Sequence, residues 1–321
     1  MHQHQQKASA QLAGKFRIVV AMSVAILTAC GSTSTPAAPV AQTAHYPITI
    51  SEPDGRTVTI SQAPQRIVSL SPTATEMLFA IGAGSQVAAV DNDSNFPSNA
   101  PTTKLSGFEP NIEAIAAYKP DLVVVSQDIN GVVKGVSVLN VPVLVEPAAK
   151  NLDDTYSQIK ELGAVTGHPD KATALVSSMK SQVATFAQAL AKPRRKLKVY
   201  HELDDTYYSA TSATFIGHLY KLLGLDNIAD GATAAAPDYP QLSAEYIVSS
   251  SPDLIVLADT KCCNQTYSTV AARPGWGAIA AVRSGQVLGV DDDVASRWGP
   301  RVIDFLYAVG PALEKLEQQA A

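Results

Sequence analysis

The chain has 321 residues, 46% of them hydrophobic and 17% charged, which is enough to bury a sizeable core and to form two domains. With 24 basic residues against 29 acidic ones and no basic stripe, nucleic acid is excluded as a partner class. Aromatics make up only 6% and just two Trp occur, so single rings carry weight.

The N-terminus has Lys7, Lys15 and Arg17 and no acid before an apolar run, IVVAMSVAILTA over 18–29, and then Cys30. A basic start, a short apolar stretch and small residues read as a signal peptide over 1–29, too short to span a membrane as a mature helix. Leu27, Thr28, Ala29 and Cys30 resemble the lipobox of bacterial lipoproteins. That resemblance implies that Cys30 is acylated and becomes the first mature residue. Without the three leader bases the balance is 21 basic against 29 acidic. Residues 31–45 are rich in Ser, Thr, Pro and Ala with no apolar period, so 30–45 reads as a flexible, lipid-anchored tether.

A first α/β lobe is expected over 46–167. TVTI (57–60) looks like an edge strand and RIVSL (66–70) like a buried one. A helix follows from Pro72, with Thr73 and Glu76 at capping-box spacing. VAAV, DLVVV and VPVLVE (87–90, 121–125, 141–146) complete a mostly parallel sheet. The spacing of Leu152, Tyr156, Ile159, Leu162 and Val165 predicts a helix over 152–166 that Gly167 ends. Next, Val176, Met179, Val183, Phe186 and Leu190 step by threes and fours without an internal Gly or Pro. They predict one long connecting helix within 168–193, begun at Pro169 and ended before Pro193, and a helix is a stiff connection.

The second lobe is expected over 194–321, with strands at 197–203, 253–258 and 286–290 and helices near 214–224, 243–250 and 300–318. It echoes the first: EAIAAYKPDLVVV begins at Glu113 and EYIVSSSPDLIVL at Glu245, 132 residues later. Each reads as a short helix, a Pro-Asp turn and a buried strand, so the chain contains two similar lobes. The fold expected is α/β: two similar lobes with mostly parallel sheets, joined by one long rigid helix, with a ligand cleft between them. In such sheets ligands sit beyond the carboxyl ends of the strands, in the loops near 71–75, 91–97, 126–130, 203–213, 259–266 and 291–299.

The stretches RIVSLSPTATEMLFAIGAGSQVAAV, PNIEAIAAYKPDLVVV and YPQLSAEYIVSSSPDLIVL resemble the helical-backbone class of ABC-importer solute-binding proteins, which includes vitamin B12 and ferric-siderophore binders. The resemblance runs from about 57 to 315. It implies an extracytoplasmic receptor that captures a metal chelate and hands it to a permease with its ATPase. It also implies one glutamate per lobe docking on basic permease residues, and Glu113 and Glu245 occupy those motif positions. DDDVASRWGPR (291–301) resembles a segment whose Asp and Arg face the ligand, which maps to Asp293 and Arg297. Tyr239, six residues before Glu245, and Phe108, five before Glu113, fall at or near the places of cleft aromatics. Asp93 and Ser126 stand where B12 binders tend to carry aromatics, so this cleft is more polar and ferric chelates, siderophore or haem, stay open beside corrinoids. Tyr207, Tyr208 and Trp298 are candidate replacement walls, and Ser71 and Thr73 complete the ligand-binding set. No resident cofactor is expected, the ligand itself being a cobalt or iron chelate, and the receptor is expected to be a monomer.

Catalytic motifs are weak. There is no G-x-S-x-G elbow for Ser71 or Ser209, and Gly82 with Gly84 lacks the third glycine of a dinucleotide site. In HELDD (201–205), His201 and Glu202 face opposite sides of a strand and cannot easily share a metal. An anchored hydrolase or metal-dependent enzyme, or a surface-binding lipoprotein without a transporter, are the alternatives. Cys262 and Cys263 begin the loop after a second-lobe strand. They can join only to each other, through an eight-membered ring, and three readings stay open: a rigid apolar plate against a ligand, two soft thiols, or incidental loop residues.

Overall fold

A computed structural model describes residues 44–190, 195–232 and 238–319 of the chain. The expected signal peptide, Cys30, all but the last two residues of the expected tether and residues 191–193, to which the connecting helix is expected to run, lie outside the described residues.

The first lobe begins with a hairpin of β1 (Ile48–Ser51) and β2 (Thr57–Ile60), paired antiparallel as a separate two-stranded sheet. TVTI is therefore not an edge of the main sheet. The turn explains why: Glu52 and Arg56 close it by a backbone hydrogen bond, with Gly55 at φ +83°, a conformation glycine adopts without steric cost. There follow β3 (Ile67–Leu70), α1 (Pro72–Ala80), β4 (Val87–Val90), α2 (Ile112–Ala116), β5 (Leu122–Val125), α3 (Val132–Ser137), β6 (Val143–Val145) and α4 (Leu152–Thr166). The long helix α5 (Pro169–Ala189) leads to β7 (Leu197–Glu202), α6 (Phe215–Leu222), β8 (Leu225–Asn227), α7 (Ala244–Ser250) and β9 (Leu254–Leu257). The chain continues through α8 (Tyr267–Ala271), α9 (Ala280–Ser284), β10 (Val287–Gly289), α10 (Asp292–Ser296) and α11 (Val302–Gln319).

Each lobe holds a four-stranded, wholly parallel sheet, ordered β4-β3-β5-β6 in the first and β8-β7-β9-β10 in the second. The repeat persists at the level of register. Ile67 pairs with Leu122 in the first lobe, and Val199 with Leu254 in the second, each partner displaced by the same 132 residues.

Buried parallel strands alternate their side chains between two packed faces. Ile67, Leu122, Val199, Leu254 and His201 point to one side, where α1, α4, α5, α6 and α11 form a core that runs through both lobes. Val68 and Val123 face a separate core under α2 and α3, and Tyr200 and Ile255 face one around Trp276. α4 has its expected limits, with Asn151 capping its start and Gly167 at φ +81° closing it, and its five apolar stripe residues are all buried. α5 buries Val176, Met179 and Val183. The expected capping box at Thr73 is absent. Ser71 caps α1, its Oγ accepting from the Ala74 N–H at 3.3 Å, and this leaves Glu76 free for another partner.

Candidate ligand site at the seam between the lobes

The carboxyl end of β10 enters α10 through three successive aspartates, and each has its own task. Asp291 is the N-cap, its Oδ1 accepting from the amides of Asp293 and Val294 at 3.0 and 3.3 Å, as short acidic caps do. Asp292 turns to the loop after β9. It accepts from Thr260 Oγ1 at 2.8 Å, from the Lys261 N–H at 3.0 Å and from the Cys262 N–H at 3.0 Å. Asp293 points across to the first lobe. It accepts from Asn95 Nδ2 at 2.9 Å, Arg297 Nη2 at 2.7 Å and Lys261 Nζ at 3.0 Å.

Beneath this rim lies a buried ionic joint. Glu76, on α1, is only 2% exposed. It accepts from Arg297 Nη1 at 2.8 Å and, in bidentate fashion, from Arg301 Nη2 at 2.6 Å and Nε at 3.0 Å. Arg297 also donates to Asn95 Oδ1 and to the Asp93 carbonyl, and the Arg301 guanidinium lies 4.2 Å from the centre of the Phe96 ring. A second-lobe arginine pair is thus bound to a first-lobe acid. Burial pushes the Asp293 carboxyl up, but hydrogen bonds from Lys261 and Asn95 outweigh it and hold it below its ordinary value. The hydrogen bond to Glu76 raises the Arg301 pKa. Both shifts favour the charged forms of Asp293 and Arg301.

The expected ligand residues divide into three groups. Phe108 is 67% exposed and Tyr239 46% exposed, and both stand at carboxyl edges. A Cβ added at Gly107 would meet Leu70 O and Asp91 Oδ2, at the ends of β3 and β4; the segment beside Tyr239 bonds to Ser209 and Thr211, beyond β7. Tyr208 and Asp93 are also exposed, and Ser126 is half-buried at the end of β5. Asp293 and Arg297 come together at the seam as expected, but their polar atoms serve the joint. A third group lies beneath the surface: Ser71 and Thr73 are buried at the start of α1, placements at odds with direct ligand contact. Tyr207 packs on Trp276 and Arg273. Trp298 packs against the shared core and donates its indole N–H to Gln158 on α4 at 3.0 Å. Glu76, Asn95, Lys261 and Arg301 join the site; Asn95 and Lys261 lie in loops expected near the ligand, but none of the four stands out in the sequence as a ligand residue. Glu76 and Arg301 both lie inside motifs singled out there, yet no local spacing says that a helix on one lobe meets an arginine on the other.

Glu113 and Glu245 are exposed in the first turns of α2 and α7, after caps by Asn111 and Ser243. Cys262 and Cys263 are joined in a disulfide. Below their loop, Arg273 makes a bidentate pair with buried Glu202, both contacts at 2.6 Å. The fully buried Asp259 carboxyl is pushed up to about 8 by burial and by the neighbouring Glu202 charge. His201 faces away, its Nδ1 2.6 Å from Tyr220 Oη, so the HELDD residues do not converge. Among the described residues no group of three or more His, Cys, Asp or Glu is placed to hold a bare metal ion.

A family model described as periplasmic binding protein matches residues 67–294. The chain belongs to the periplasmic binding protein family. Within that family it is 30% identical over 269 residues to an ABC transporter substrate-binding lipoprotein of Bacillus subtilis, covering 81% of this chain and 83% of the relative. It is 27% identical over 311 residues to a cobalamin-binding protein of Halobacterium salinarum, covering 91% and 82%. A solved structure from Staphylococcus epidermidis, titled a possible iron-binding periplasmic solute-binding protein, superposes with a TM-score of 0.67 at 25% identity, covering 78% of this chain and 99% of the other. As a periplasmic binding protein the chain is extracytoplasmic, and no described helix is long and apolar enough to cross a membrane.

Proposed function

We propose that this protein is the lipid-anchored receptor of an ABC importer, taking a cobalt or iron chelate (a corrinoid, a ferric siderophore or haem) into the seam between its lobes. The observation that carries the reading is that the carboxyl edges of both sheets meet at one charged seam, with an exposed aromatic at each lobe's edge. A large, flat chelate is held by apolar walls and a few edge hydrogen bonds. Phe108 and Tyr239 are the walls, with Tyr208 beside them; Asp93, Ser126, Lys261 and Asn95 offer polar contacts. Relatives named for cobalamin and for iron support the class of ligand, and the polar edge keeps both metals within it. Glu113 and Glu245, one on each lobe and in matched places, dock on basic residues of the permease, their charge acting chiefly on encounter and orientation. Cys30 carries the lipid. The protein works as a binding monomer without a resident cofactor, not as an enzyme.

Thermal unfolding with cyanocobalamin, a ferric hydroxamate and haem tests the reading. A ligand at a hundred times its Kd adds about 2.7 kcal/mol to stability. A raised melting temperature with one of them is expected, and no shift with any would overturn the proposal.

A further inference from the structure

We propose that the Cys262–Cys263 ring is a reducible wall of the ligand site: an exposed thiol–disulfide couple whose oxidised form contacts the chelate and whose reduction loosens the hold on it. The proposal rests on the receptor reading above.

A disulfide stabilises a fold chiefly by closing a long loop in the unfolded chain. Between adjacent residues it closes none, so stability does not account for this one. Nor does the loop need it for its shape. Cys263 and Gln265 both donate their amides to the Asp259 carbonyl at 3.2 Å, while Asp292 holds the amides of Lys261 and Cys262 from the side. These bonds anchor the backbone whatever the state of the sulfurs. The ring adds a fixed, uncharged and polarisable surface in a rim otherwise made of charged and polar groups. Cys262 is exposed and Cys263 half-buried. Their neighbour Lys261 reaches Asp291 at 2.7 Å and Asp293 at 3.0 Å, and Asp293 bonds Asn95 of the first lobe. The ring therefore stands beside the place where the lobes meet, at the carboxyl end of β9. Sulfur packs favourably on conjugated rings, which suits a flat chelate.

The redox step is a two-electron exchange with a dithiol. One thiolate of the reductant attacks the exposed Sγ of Cys262; the S–S bond breaks and Cys263 leaves as a thiolate that takes a proton. The second reductant thiol then attacks its own partner sulfur in the mixed disulfide, releasing Cys262 and closing the reductant's ring. Two protein thiols form and the dithiol becomes a disulfide. The freed side chains turn independently, and the flat plate is lost while the anchored backbone stays.

The test uses the full lipid-bearing chain in detergent. Dithiothreitol is applied to the folded protein, iodoacetamide marks the thiols, and peptide mass mapping locates them. Labelling at both Cys262 and Cys263 with the melting temperature kept within about 2 °C is expected. No labelling without denaturant, or a collapse of the melting temperature, would overturn the exposed couple. Binding of cyanocobalamin, a ferric hydroxamate and haem is then measured on the oxidised chain and on the Cys262→Ser, Cys263→Ser double variant. An affinity about tenfold weaker in the double variant, near 1.4 kcal/mol, is expected for the probe that binds. Equal affinity would overturn the wall while leaving the receptor reading intact. If no probe binds the oxidised chain, the receptor reading falls and the wall with it, whereas the labelling result still decides the couple.

Discussion

Glu76 of the first lobe and Arg301 of the second are joined by two hydrogen bonds, at 2.6 and 3.0 Å, across the seam. Arg297 shares the same carboxylate at 2.8 Å. Glu76 has almost no contact with water, and its loss would take from Arg301 its bidentate acceptor and from Arg297 one of several partners. Breaking a buried pair from one side costs about 3–5 kcal/mol, far above the cost at an exposed one. Glu76→Gln keeps the shape and removes the charge. It is expected to lower the unfolding free energy by about 3 kcal/mol in urea titration; a change below about 1 kcal/mol would show the joint to be dispensable.

The loop clamp at Asp292 can be read separately. Asp292→Asn leaves one acceptor oxygen for three donors. Faster hydrogen exchange is expected at the amides of Lys261 and Cys262, with a stability loss of about 1–2 kcal/mol. Unchanged exchange at both amides would mean that Asp259 alone holds the loop.

Two buried groups give the pH dependence opposite signs. Asp259 titrates near 8 in the fold, against 3.8 for an ordinary aspartate. Its contribution is full below about 4 and is lost as pH rises through about 8. Burial lowers His201 from 6.5 to about 3; its contribution is full above 6.5 and is lost as pH falls toward 3. Between about 4 and 6.5 the two slopes oppose each other. From 6.5 to 8 only Asp259 acts of the two, so the melting temperature should fall over that window. Asp259→Asn should flatten it, and an unchanged slope in that variant would assign the effect elsewhere.

For docking, Glu113→Ala combined with Glu245→Ala should abolish uptake of the chelate in cells while the ligand-induced melting shift persists. Uptake at the native rate in the double variant would remove these glutamates from the permease contact.

The proposed anchoring rests on one residue, Cys30. Cys30→Ser should move the protein from the membrane pellet to the soluble extracytoplasmic fraction. Retention in the pellet would mean that the chain is held some other way.

Local pattern makes much of this fold legible. The stripe from Leu152 to Val165 and the αL glycine after it are features a single helix imposes on its own sequence, and α4 has the expected limits. The repeated Glu-to-Pro-Asp-Leu segments show two lobes because their central strands keep both composition and spacing. β8 is invisible in the sequence: its three residues, Leu225, Asp226 and Asn227, are too few to show a period, and pairing with β7 is what makes them a strand. At the site, Asp293 and Arg297 are legible through the resemblance of DDDVASRWGPR to a segment whose Asp and Arg face the ligand. Glu76 reads as a capping partner since Thr73 stands three residues before it. Its real partners lie more than two hundred positions away, a distance no local spacing reports. Thr73 likewise has a second-lobe neighbour in Gly299, which no local spacing reports.

The matched registers of the two sheets hide an inequality. In the first lobe a single residue, Ser71, separates β3 from α1; in the second, residues 203–214 intervene between β7 and α6. Yet Ile67 to Leu122 spans the same length of chain as Val199 to Leu254, so the longer passage into α6 is matched by a shorter return from that helix to β9. The extra chain lies on the carboxyl side of the strands and carries Tyr207 and Tyr208. A frame of near-twofold design thus bears a lopsided mouth: β3 turns at once into a helix, while β7 is followed first by a passage that carries two tyrosines. The two lobes therefore present unlike surfaces at the ends of their matched strands β3 and β7.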